Sequence, residues 1–144
     1  MRLTETRARE VVDTATATGV GRVDGAVVTL DPPRVHALRL AKARRGALLS
    51  WSDLTAVGPD AVTVPSENVL REPVDEAEAA AAHDDRDLLD KPALSEFGVD
   101  LGTVLDADLD PDSGALLSIV TDRGEIPAER LMGLGSYAAV FRDA

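Results

Sequence analysis

The chain is written twice. Gly21-Arg22-Val23 through Asp31-Pro32 runs in step with Gly102-Thr103-Val104 through Asp110-Pro111, and Leu54-Thr55-Ala56-Val57-Gly58 with Leu131-Met132-Gly133-Leu134-Gly135. The offset is 81 residues at the first glycine, 79 at Asp-Pro and 77 at Leu54/Leu131, a drift that small gaps in hairpin loops produce. Chance similarity rarely keeps one order of features over about fifty residues, so the repeat sets the architecture: two copies of one small module.

Within each copy the residues read as strands and turns. Val20 to Leu30 is apolar and β-branched, and Asp31-Pro32-Pro33 closes it. Arg34 to Leu40 returns, with Val35, Ala37 and Arg39 expected on one face and His36, Leu38 and Leu40 on the other. Lys42 to Gly46 is the next turn, Ala47 to Ser50 a short strand, Ser52-Asp53-Leu54 a helical turn, and Ala61 to Val64 the closing strand. The second copy repeats this with Leu101 to Leu109, Ala115 to Thr121, Glu125-Ile126, Ala128 to Leu131 and Ala138 to Arg142. Between them, Asp75 to Ala82 joins acids to an alanine run, which favours a short helix ending near His83. Disorder is the rival reading, since so short a helix is marginal alone. The expected organisation is residues 1–73, an acidic Ala-rich linker at 74–87, and residues 88–144. The expected fold class is mainly β: two small antiparallel units with short helical turns.

Composition narrows the functions. Residues 1–73 carry ten Lys/Arg against nine Asp/Glu, residues 74–144 five against seventeen, so the net charge of −11 belongs to the second half. Such a field repels a phosphate backbone, and the four aromatic residues make a poor stacking platform, which argues against direct nucleic-acid binding. The absence of cysteine fits a reducing compartment. No apolar stretch approaches the roughly 20 residues of a membrane span, and Arg2, Thr4, Glu5 and Arg7 do not begin a signal peptide. A cytoplasmic protein is expected.

The repeated pattern resembles the PRC-barrel domain. In the first copy the traces are Val20-Gly21-Arg22-Val23, Leu30-Asp31-Pro32, Leu49 to Leu54 and Val57 to Val62. In the second they are Leu101-Gly102-Thr103-Val104, Leu109-Asp110-Pro111, Ile126 to Leu131 and Leu134-Gly135. The resemblance covers nearly the whole chain apart from the linker and implies small β-barrels used as interaction modules. Relatives include a cytoplasmic domain of a photosynthetic reaction-centre subunit, a ribosome-maturation factor and freestanding proteins. Neither an anchor like that of the first nor a preceding barrel like that of the second is read in these residues, so neither specific role is expected to carry over.

Candidate sites are few. Asp106, Asp108 and Asp110 alternate like the opening of an EF-hand loop, but Pro111 and Leu117 stand where that loop needs glycine and glutamate. On a strand they share the solvent face, with Leu105, Ala107 and Leu109 expected inward. His36 and His83 lie far apart in sequence, and no further ligands at matched spacing accompany them. Ser50, Ser52 and Ser66 lack a nucleophile-elbow context, and Gly19-Val20-Gly21 precedes a strand, so it cradles no phosphate. The basic turn Lys42, Arg44 and Arg45 is the clearest difference between the copies and a candidate contact for an acidic partner. Trp51 either anchors a partner or packs over the barrel mouth or against the other repeat. No catalytic, cofactor or metal residues are assigned. A barrel of about six strands leaves little room inside, so the work is expected on the outside. The reading is a non-enzymatic protein-binding adaptor, able also to pair with itself through strand edges. The alternative is an RNA-processing or ribosome-assembly accessory docking on a basic ribosomal protein.

Overall fold

The computed structural model describes residues 1–43 and 45–143. The first unit holds β1 (Glu10–Asp13), β2 (Thr18–Thr29), β3 (Arg34–Ala41), β4 (Leu48–Ser50), β5 (Ala56–Val57) and β6 (Val62–Val64). The second holds β7 (Pro92–Ser95), β8 (Asp100–Leu109), β9 (Leu116–Thr121), β10 (Gly124–Pro127), β11 (Leu131–Leu134) and β12 (Ala139–Phe141). The strand orders are β4-β3-β2-β1-β6-β5 and β10-β9-β8-β7-β12-β11, so the second sheet is the first shifted by six strands. The fold is mainly β, in two similar units with short helical turns, as the repeat predicts.

Pairing corrects the alignment within the repeat. Val23 pairs with Leu40 and Val104 with Thr121, Val28 with Val35 and Leu109 with Leu116, an offset of 81 on both arms of the hairpin. Asp31-Pro32 and Asp110-Pro111 are therefore not equivalent. The whole drift to 77 falls between β3 and β4, where the first unit's loop is four residues longer, because Leu49 opposite Leu38 matches Ile126 opposite Ile119.

Two further expectations change. Each unit contains one parallel pair, β1 with β6 and β7 with β12, among otherwise antiparallel neighbours. Among the described residues no ladder joins β4 to β5 or β10 to β11, so each sheet stays open instead of closing on its own interior. The two share one core instead, in which Val11, Leu38 and Leu49 are continuous with Val104, Ile119 and Phe141.

The inward and outward residues are set by β-bulges. A bulge opposite Val27/Val28 leaves His36 as the extra residue of β3, so Val35 and Leu38 enter the core while Ala37 and Arg39 face out. The same bulge recurs in the second unit at Leu117, and another opposite Val120/Thr121 turns Leu105 outward, where it is 50% exposed. Simple alternation placed it inside.

The units join about a local two-fold. The Val35 amide donates to the Gly114 carbonyl (2.8 Å) and the Leu116 amide to the Pro33 carbonyl (3.0 Å), each bond the image of the other under the 81-residue offset. The segments leading into β1 and β7 also cross over. Thr4 donates through N and Oγ1 to Asp106 on β8, while Leu88 and Leu89 lie against Gly25 and Ala26 of β2. Such self-complementary contact is the geometry of a symmetric dimer, here within one chain.

The linker helix α1 (Glu76–Ala81) begins on an Asp75 cap and packs on the outer face of the first sheet. Ala81 and Ala82 meet Val27, Ala37 and Leu48. Glu78 receives Arg71 Nη1 and Nη2, the Val74 amide and His36 Nε2, and Arg39 donates to the Ala82 carbonyl and to Asp87. The expected linker is thus a strap fixed at both ends.

Candidate protein-interaction surface

Trp51, in the 3-10 turn after β4, is 3% exposed, and its Nε1 donates to the Pro111 carbonyl at 3.1 Å. Gly114 lies beneath it. A Cβ there would stand 3.0 Å from the Trp51 ring and 2.7 Å from the Val35 carbonyl, and its φ of +79° excludes other residues at ordinary cost. Trp51 therefore packs against the other repeat, one of the placements the sequence offers.

The basic turn is the four-residue insertion between β3 and β4. Lys42 and Arg45 are exposed, Arg45 lies 3.9 Å from Glu67, and Arg44 lies outside the described residues. An ion pair so exposed is worth little, which leaves the charge of Lys42 and Arg45 open to contact.

The other polar candidates are engaged within the fold. Asp106 holds Thr4, Asp108 accepts from Ser118 Oγ and pairs with Arg2 at 3.0 Å, and Asp110 receives the Asp112 amide in the turn. Ser50 Oγ accepts from Arg71 Nε, and His36 meets Glu78 at 2.7 Å. His83 Nδ1 accepts from the Asp85 amide. The bonds from Arg71 hold Glu78 down at about 2 despite its burial. For Arg39 burial opposes the charge, but Asp87 and Asp24 more than offset it and raise its pKa. These groups form a latch between helix and sheet.

Sequence reasoning missed what the surface shows. The large exposed apolar side chains described are Val74 of the linker and Phe97, Val99, Leu105, Leu117, Met132 and Tyr137, all six in the second unit. The fold does not require them. At the equivalent positions of the first unit stand Thr18 for Val99, Asp24 for Leu105, His36 for Leu117, Thr55 for Met132 and Asp60 for Tyr137. Phe97, 73% exposed, rides a turn held by Ser95 Oγ, which accepts from the Phe97 and Val99 amides; the matching turn of the first unit carries Thr14, Ala15 and Thr16 around Asp13.

Two features organise this surface. On the outer face of β7, β12 and β11, an open trough of about 500 Å³ is lined by Leu94, Gly133, Leu134, Tyr137 and Val140. Its floor is Gly133, where an added Cβ would approach only Val140, at 3.8 Å. On the outer face of β8 and β9 stand Leu105 and Leu117, beside Asp108. The trough borders β11, the outermost strand of its sheet. Unpaired backbone at such an edge is a ready site for an added strand. The sequence did hold a signal for these positions: under the correct register, all but Phe97 are apolar residues aligned with a polar one in the other copy.

No family model matches the chain, and no curated protein matches it in sequence.

Proposed function

We propose that this chain is a non-enzymatic protein-interaction adaptor of the PRC-barrel type, working in the cytoplasm, with the first unit as frame and the second as binding face. One observation carries the reading. Among the described residues, the exposed large apolar side chains of the two units occur on only one of them, and at five of the six positions the other unit is polar. Clustered exposed apolar side chains, unlike singly scattered ones, mark contact surfaces. The same unit, residues 88–144, carries eleven Asp/Glu against four Lys/Arg, so the partner surface that fits is apolar at its centre and basic at its rim. The paired six-stranded units support the PRC-barrel resemblance, and the lack of cysteine supports the compartment.

The charge also supports the runner-up, docking on a basic ribosomal protein in RNA processing or ribosome assembly. The test is affinity capture on the immobilised full chain, with and without nuclease. A five-site variant carrying the first unit's residues (Val99→Thr, Leu105→Asp, Leu117→His, Met132→Thr, Tyr137→Asp) is run beside it. The adaptor reading expects a specific protein retained after nuclease and lost with the variant while its unfolding midpoint holds. Nuclease-sensitive ribosomal proteins would favour the runner-up, and capture unchanged by the variant overturns the assigned face.

A further inference from the structure

The first unit carries its own example of how the outer face of this sheet is covered. There α1 lays Ala81 and Ala82 on Val27, Ala37 and Leu48, with Glu78 against His36. The charges are complementary, an acidic helix on a face with His36, Arg39 and Arg71.

The corresponding face of the second unit is open and of opposite character. Leu117 replaces His36 and is 58% exposed; Leu105 replaces Asp24; Asp108 and Glu125 replace Val27 and Leu48. A single guanidinium already spans those two acids: Arg2 stands 3.0 Å from Asp108 and 3.9 Å from Glu125. Leu105 reaches out where β8 meets Val120, and Leu117 lies three residues back along β9, so the two are about 10 Å apart along the strand. Two turns of helix, at about 1.5 Å per residue, cover the same distance.

We propose that the outer face of β8 and β9 is a receptor for a short partner helix with apolar side chains at i and i+7 and arginine beside them, seated as α1 is on the first unit. It names the partner class for the binding face proposed above and rests on that reading. The acids set the sign: with the one guanidinium of Arg2 shared between them, Asp108 and Glu125 still carry a net negative charge, which an acidic helix like α1 would meet with like charge. The leucines supply the apolar area that α1 finds on Val27 and Leu48.

The probe is a stapled, alanine-based peptide of roughly fourteen residues with leucine at i and i+7 and arginine at i+3 and i+4. It is titrated against the full chain by fluorescence anisotropy, beside the same peptide with glutamate for arginine. The basic peptide is expected to saturate and to bind at least about tenfold tighter than the acidic one, with the difference shrinking in high salt. Leu105→Asp with Leu117→His should weaken it by about tenfold or more, whereas Tyr137→Asp, on the trough, should change it less than about twofold. No saturation, or binding indifferent to the leucine variant, overturns the receptor. With the partner obtained by capture, loss through Met132→Thr and Tyr137→Asp but not through the leucine variant sinks the helix receptor and leaves the adaptor standing. Loss through neither overturns the receptor and takes these four residues out of the binding face.

Discussion

Arg34 and Ala115 face each other in a single antiparallel bridge, and under the 81-residue offset they are the same position of the two units. A residue can meet its own counterpart only where a two-fold axis passes between them. The bonds on either side, Val35 to Gly114 and Leu116 to Pro33, obey the same axis. The chain is in this sense a dimer fused through its linker, with one shared core.

Gly114 sits where that axis leaves least room. Gly114→Ala places a methyl against the Val35 carbonyl and the Trp51 ring in a left-handed conformation. Left-handed strain of about 1–2 kcal/mol and overpacking of about 1–3 kcal/mol should together lower stability by about 2–5 kcal/mol in urea titration. Gly135→Ala, with open space around it, is the control and should be nearly neutral.

Trp51 is the only tryptophan and is buried between the units, so its fluorescence reports the contact directly. Native emission should be blue-shifted and resist acrylamide quenching. Trp51→Phe, which leaves the Pro111 carbonyl without its donor, should cost about 1–3 kcal/mol. Red-shifted, readily quenched native emission would contradict the placement.

The helix latch makes stability acid-sensitive. Glu78 is held at about 2 against an ordinary 4.5, chiefly by bonds from Arg71, and Asp13 is lowered chiefly by the Glu67 amide. A carboxylate with a depressed folded pKa stabilises above its unfolded pKa and loses that contribution as pH falls through the folded value. Unfolding free energy should therefore decline between about pH 4.5 and 2. Glu78→Gln should be less stable at pH 7 and show a shallower decline, measured by urea titration across that range.

Ala8 and Asp90 occupy equivalent positions ahead of β1 and β7, and both have positive φ, 60° and 71°. Each precedes the same bond pattern, Ala8 N to the Val23 carbonyl and Asp90 N to the Val104 carbonyl. Ala8 is exposed, so Ala8→Gly relieves left-handed strain without opening a cavity. It should raise stability by up to about 1 kcal/mol in thermal unfolding.

The duplication, the turns and most strands were legible because they are written in glycine, proline and β-branched residues. β1 escaped, since four residues beside a Thr/Ala run give too little periodicity. The faces of β3 and β8 escaped for another reason. Bulges at His36, Leu117 and Leu105 break the two-residue alternation, and a bulge is a property of two paired strands, not of either alone. The same error hid the candidate surface, because Leu105 read as core. Asp-Pro misled similarly: a matching dipeptide outweighed the register of the strands flanking it. Trp51 was legible as an anchor, but only its hydrogen bond to Pro111 decides what it anchors.

The 81-residue equivalence that assigns the binding face also puts a two-fold axis between Arg34 and Ala115. Scalar couplings across hydrogen bonds, measured by NMR on the labelled full chain, test it most directly. Couplings from the Val35 amide nitrogen to the Gly114 carbonyl and from the Leu116 nitrogen to the Pro33 carbonyl should both appear, with both amides slow to exchange. Absence of both couplings, with either amide exchanging as fast as an open loop, would contradict the two-fold and the account built on it.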